Sequence, residues 1–142
     1  MKRMTAFLSA ATLVAVVAIL GCSRQSKADL AAVQGTWKGD EPKTDTEVQP
    51  SLTLAGNTLE FRGSNPNEWY KATYTLRGDT TPKQMVVKIT ECPFPKYVGK
   101  TAFAIYKIDG NALTIAANEP GNPNIPKAFN ARGVRQIVVK RE

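Results

Sequence analysis

The sequence predicts an all-β fold: a small up-and-down antiparallel β-barrel of about eight strands, preceded by a short N-terminal helix. Three observations carry that prediction. Beyond Gln34 the chain reads as eight short β-type runs punctuated by Gly, Pro, Asn and Asp, the pattern of a sandwich or barrel. Two junctions, Ala55-Gly56-Asn57 and Asp109-Gly110-Asn111, are tight hairpin signals, because Gly and Asn tolerate a positive φ. Between Trp69 and Arg77, Tyr70, Ala72, Tyr74 and Leu76 alternate with Lys71, Thr73 and Thr75, as a half-buried strand requires.

The elements follow in order. Residues 1–21 read as an export signal: Lys2 and Arg3 are the positive end, and Ala6 to Leu20 is apolar apart from Ser9 and Thr12. Ile19-Leu20-Gly21-Cys22 resembles the lipobox of bacterial lipoproteins. The resemblance implies that Cys22 is acylated and becomes the first mature residue. Residues 22–29 are then the lipidated cysteine and its tether, and residues 30–142 the barrel domain. An ordinary cleaved signal and an uncleaved membrane anchor are the other readings, though for an anchor the apolar run is slightly short of the usual ~20 residues. Ser23 follows the cysteine, where Asp often marks retention in the inner membrane. The expected location is the bacterial cell envelope, lipid-anchored at the outer membrane and facing the periplasm.

Ala28 to Gln34 has helix-forming residues with Leu30, Ala31 and Val33 apolar, which predicts one or two helical turns. The strands follow at Thr36–Gly39, Gln49–Leu54, Thr58–Arg62, Trp69–Arg77, Gln84–Thr90, Lys100–Ile108, Ala112–Ala117 and Val134–Lys140. Pro50 weakens the start of the second. The sixth is apolar on both faces, with Ala102, Ala104, Tyr106 and Ile108 against Phe103 and Ile105. A strand covered on both sides gives that pattern, as does one that lines a cavity while packing outside. Two connections are long: the acidic stretch Asp40 to Val48, and Asn118 to Gly133 with Pro120, Pro123, Pro126 and Phe129.

With 142 residues there is room for one domain and no second sizeable core. The chain has no histidine. That removes Ser-His and Cys-His catalysis, His-ligated metal and a simple His pH switch. The net charge of +7 falls to +5 once Lys2 and Arg3 leave with the signal. The remaining charges are scattered, so nucleic acid is not an expected partner. If Cys22 carries lipid, Cys92 has no partner within the chain, and burial is the expected fate of its thiol.

Gln34-Gly35-Thr36-Trp37 is similar to the Gly-x-Trp signature that opens lipocalins. From Leu30 to Glu142 the chain resembles a lipocalin-like domain of exported bacterial proteins. The resemblance runs through Val33 to Lys38, Ile105 to Leu113, Pro120 to Pro123 with Pro126 and Phe129, and Val138 to Glu142. It implies that Gly35 allows close approach at the barrel floor and that Trp37 plugs the closed end. It also implies a cation from the last strand lying across that ring, with Arg141 or Lys140 in place to supply it.

No phosphate loop, dinucleotide fingerprint or nucleophile elbow is present. The acidic loop lacks EF-hand spacing, and the spacing of Glu60, Glu68 and Glu91 does not single out a carboxylate pair. No enzyme, metal or cofactor is expected. Two functions remain. In one, the barrel mouth takes a small apolar or amphipathic ligand. Tyr70, Tyr74, Met85, Val87, Phe103, Ile105 and Tyr106 then form the wall, with Trp69 and Phe129 at the rim. The same side chains would otherwise fill the barrel, the plainer expectation for a domain of ~120 residues. In the other, an anchored protein binds an envelope protein or the cell wall through its long loops, Pro120 to Phe129 being the contact. Expected partners are thus the membrane through the lipid, a small hydrophobic ligand or an envelope protein, with the barrel itself a monomer.

Overall fold

The computed structural model describes residues 26–39 and 49–142. The export signal, Cys22 with its lipid, and the acidic loop Asp40 to Val48 lie outside the described residues. One helix, α1 (Lys27–Val33), leads into eight strands: β1 (Gly35–Gly39), β2 (Ser51–Ala55), β3 (Thr58–Arg62), β4 (Trp69–Arg77), β5 (Lys83–Glu91), β6 (Thr101–Asp109), β7 (Ala112–Ala117) and β8 (Arg135–Arg141). Each strand pairs antiparallel with the next, and β8 returns to β1 to close the barrel. Among the described residues the closing seam is short, Trp37 to Gly39 against Val139 to Arg141.

The strands lie within two residues of where the alternation predicts them. Pro50 stays outside β2, where its carbonyl accepts from Gly39 N–H at 2.7 Å. The helix begins at Lys27, so residues 27–29 belong to the packed structure and not to the tether. Ser26 caps it, its Oγ accepting from Asp29 N–H at 3.3 Å, and the Asp29 carboxylate suits the positive N-terminal turn. Seven residues cannot hold a helix by propensity alone. Val33, fully buried, and Leu30 dock it on the barrel core.

Cross-strand register fixes which side chains point inward. Leu52 faces Phe61, Phe61 faces Tyr70, Met85 faces Ala104, Leu113 faces Val139 and Ile115 faces Ile137. These residues form one continuous core. The outer face is mostly polar, and its covered apolar part lies on β6 and β7. There Ile105 and Ala116 pair across the strands, point outward and are still fully buried, with Thr114 beside them. The connection after β7 accounts for this. It bonds to the backbone of β6 (Asn118 N–H to Phe103 O, 3.0 Å; Gly121 N–H to Thr101 O, 2.9 Å), buries Pro126 and brings Phe129 under Lys107 Nζ at 4.9 Å. The doubly apolar β6 is therefore explained by a covering loop on its outer side.

Candidate functional site

Strand direction divides the barrel into two ends of different character. At one end lie α1, the turns at Gly56-Asn57, 78–82 and Gly110-Asn111, and the end of β8. This end is closed. Trp37 is fully buried and its Nε1 donates to the Val33 carbonyl at 2.9 Å. The Arg141 guanidinium lies 4.3 Å from the centre of the Trp37 ring, well inside cation–π range. It also donates to the Gln34 carbonyl at 2.8 Å and to the Ala32 carbonyl. Gly35 permits this approach. Its φ is +116° and a Cβ there would stand 3.3 Å from Arg141 Nη1.

Two tyrosines that alternation assigns to the wall take part in this closure. The Tyr74 hydroxyl donates to the Gly56 carbonyl at 2.7 Å and accepts from Gln34 Nε2 at 3.0 Å. Burial pushes its pKa up. The Tyr106 hydroxyl donates to Asp29 Oδ2 at 2.7 Å, and Lys83 Nζ donates to the same oxygen at 2.8 Å. Burial, the hydrogen bond and the Asp29 charge together raise Tyr106 well above the ordinary phenol range. For Asp29 itself burial pushes upward, but the bonds from Lys83 and Tyr106 and the lysine charge outweigh it, holding the carboxyl below its usual value.

The other end carries a cavity of about 130 Å³. Its walls are Leu52, Leu59, Phe61, Tyr70, Met85, Val87, Ile89, Ala102, Ala104, Ile115, Ala117, Pro120, Arg135 and Ile137. Only Tyr70 and Arg135 contribute polar side-chain atoms. Tyr70 stacks near Phe61, ring centres 6.4 Å apart, and continues through Phe94 at 6.0 Å to Tyr97 at 6.0 Å, an aromatic path over the rim. Burial, and then the Glu68 charge, push the Tyr70 pKa up. Arg135 lies over the Phe61 ring at 5.3 Å and pairs with the Glu68 carboxylate.

Of the residues expected at the wall and rim, Tyr70, Met85 and Val87 line this cavity. Tyr74 and Tyr106 point inward but lie at the closed end. Phe103 and Ile105 point outward, because Met85 and Val87 pair with Ala104 and Ala102 and so fix the opposite parity on β6. Trp69 is also outward, paired with Arg62 opposite the inward Phe61–Tyr70 pair, with Lys71 Nζ 6.0 Å from its ring. Phe129 is away from the mouth. It borders a separate depression of mixed lining, about 380 Å³, beside the 78–82 turn and Lys107. Gly35, Trp37 and Arg141 come together, and Arg141 rather than Lys140 is the cation over the ring.

Sequence reasoning missed Arg135, Phe61 and the small residues Ala102, Ala104 and Ala117 that leave the space open. The signal for Arg135 was present: it shares the parity of Ile137, Val139 and Arg141, hence the inward face of β8. Glu60 and Glu91 are turned outward against Lys71 and Arg62, so only Glu68 reaches the mouth. Cys92 is half-buried against the core, its Sγ 3.1 Å from the Phe94 carbonyl. Among the described residues no group of three or more His, Cys, Asp or Glu side chains gathers to hold a metal. Comparison with known proteins finds no matching family model, no matching curated protein and no matching solved structure.

Proposed function

We propose that this protein is a lipid-anchored, lipocalin-like binding protein of the bacterial cell envelope, whose barrel takes a small apolar or amphipathic ligand through its open end. The observation that carries the reading is the contrast between the two ends. One is sealed by Trp37, Arg141 and α1; the other holds an apolar cavity of about 130 Å³. Its walls are apolar, so an apolar occupant gains by covering them from water. The size suits a ring or the end of an acyl chain and falls well short of the ~300 Å³ at which drug-sized sites begin. The floor supports the lipocalin-like part of the reading, since the Gly-x-Trp resemblance implies this ring-and-cation arrangement.

The reading assigns binding and no catalysis, in keeping with a sequence that has no histidine and no nucleophile motif. A contact role for the Pro120–Phe129 loop is less well supported, because covering Ile105 and Ala116 already accounts for its length. The anchor rests on the Ile19–Cys22 stretch. Three residues separate Cys22 from Ser26, so the tether would leave from the closed end and leave the mouth clear.

Native mass spectrometry of the exported, gently purified protein tests the ligand. An extra mass that disappears on denaturation is expected; a bare mass that persists after incubation with envelope extract overturns the reading. Fatty-acid labelling tests the anchor, with label expected on wild type and absent from Cys22→Ala.

A further inference from the structure

We propose that the cavity selects an uncharged apolar ligand about the size of one aromatic ring, and that Arg135 and Glu68 form a strap across the mouth that turns away the carboxylate of that same ring. The inference rests on the cavity being a ligand site, and narrows what that site accepts. Arg135 opens β8, while Glu68 immediately precedes β4. Those strands are four apart in a closed ring of eight, on opposite sides of the mouth. The arginine side chain therefore spans the opening, over the Phe61 ring, to reach its carboxylate partner.

Both charges of the strap are satisfied by each other. The Glu68 side chain is only 20% exposed, and its backbone is fixed on either side: its N–H donates to the Asn65 carbonyl and its carbonyl accepts from Gly63 N–H, both at 2.9 Å. Gly63 leaves room for it, since a Cβ there would come 2.8 Å from Glu68 Oε2. The Arg135 side chain is itself 52% exposed, but a ligand carboxylate that took it would leave the mostly covered Glu68 carboxylate without its partner, which offsets what the new pair returns. Keeping Glu68 on the same guanidinium would set two negative charges side by side.

Inside, nothing waits for a charge. Among the described residues no buried side-chain nitrogen or oxygen lacks a partner. Tyr70 stays a neutral phenol beside Glu68, its pKa raised by burial and by that charge. The volume is close to that of engineered apolar cavities, about 150 Å³, that stay dry and take up benzene. Phe61 and Tyr70 supply aromatic wall to such a guest.

Benzene and benzoate, one ring without and with a carboxylate, are the probes. Ligand-observed NMR saturation transfer and the thermal midpoint are read on wild type, Glu68→Gln and the enlarged cavity of Met85→Ala. Benzene is expected to bind wild type and raise its midpoint, while benzoate at equal concentration does neither. Glu68→Gln frees the guanidinium. Benzoate affinity should then rise about tenfold or more, the equivalent of one charge-assisted hydrogen bond, with benzene little changed. Benzoate binding wild type as tightly as benzene, or still excluded from Glu68→Gln, overturns the strap while the cavity remains a ligand site. Benzene failing to bind both wild type and Met85→Ala overturns the ligand site itself.

Discussion

Arg135 and Arg141 stand six residues apart on the inward face of β8, one at each end of the barrel, and each lies over an aromatic ring. Arg141 covers Trp37 at 4.3 Å and Arg135 covers Phe61 at 5.3 Å. Their partners differ. Arg141 is tied to the carbonyls of Gln34 and Ala32, groups that cannot move without unravelling the chain between α1 and β1. Arg135 is tied to a side-chain carboxylate, that of Glu68. The same chemistry thus serves a floor anchored on backbone and a pair of side chains at the mouth.

The floor should therefore dominate stability. Trp37→Ala is expected to cost about 3–5 kcal/mol, the usual range for deleting a buried large aromatic. Arg141→Met should cost less, about 1–2 kcal/mol, since the ring remains and only the cation and its hydrogen bonds are lost. Urea unfolding measures both. A Trp37→Ala variant with an unchanged midpoint would refute the plug.

Asp29 gives the fold an acid-sensitive contact. Its folded-state pKa lies below the ordinary 3.8 because Lys83 and Tyr106 outweigh burial. The unfolded chain therefore takes up the proton first as pH falls. The stabilisation is complete above pH 3.8 and is lost as pH drops through the folded-state value. Asp29→Asn should be less stable than wild type at pH 7, and the difference should narrow at pH 3. Parallel stability curves over that range would remove Asp29 from the acid response.

Ala104 is fully buried on the cavity wall. Ala104→Leu extends a side chain into the space, so the thermal midpoint should hold or rise, cavity filling adding about 0.5–2 kcal/mol. The midpoint shift caused by benzene should vanish. A benzene response that survives in this variant would put the ligand elsewhere.

Ile105 points away from the barrel interior yet is fully buried under the β7–β8 connection. Ile105→Ala should cost about 2–4 kcal/mol, as in a core. An outward position left to solvent would change stability by about 0.5 kcal/mol at most. The measured value decides whether this loop is structural cover. A small one would return the loop to the contact role that its prolines suggested.

Most of the architecture was legible in the sequence, because period-two alternation and Gly-Asn turns are local signals. The strands from β3 to β7 and the hairpins follow from residues adjacent in the chain, while the Trp37 floor followed from the Gly-x-Trp resemblance. Height along the barrel axis does not. Tyr70, Tyr74 and Met85 all carry the inward pattern, but only strand direction and register put Tyr74 at the floor and the other two beside the cavity. Parity failed where both faces were apolar: nothing within β6 distinguishes Phe103 from Ala102, and the deciding contact comes from a loop after β7. The Arg135–Glu68 pair joins residues 67 positions apart, beyond the reach of any local pattern. Arg135 is also a charged residue at a strand start, a position that normally faces water.

The closure of β8 onto β1 has a practical consequence. Ser26 and Glu142 both emerge at the closed end, where Glu142 N–H donates to the Thr36 carbonyl at 3.2 Å. A fluorescent fusion after Glu142 should leave ligand exchange at the mouth unhindered. A short linker from Glu142 back to Ser26 would make the barrel topologically circular. New ends could then be cut at the exposed Gly110-Asn111 turn, giving a circular permutant with every strand pairing kept.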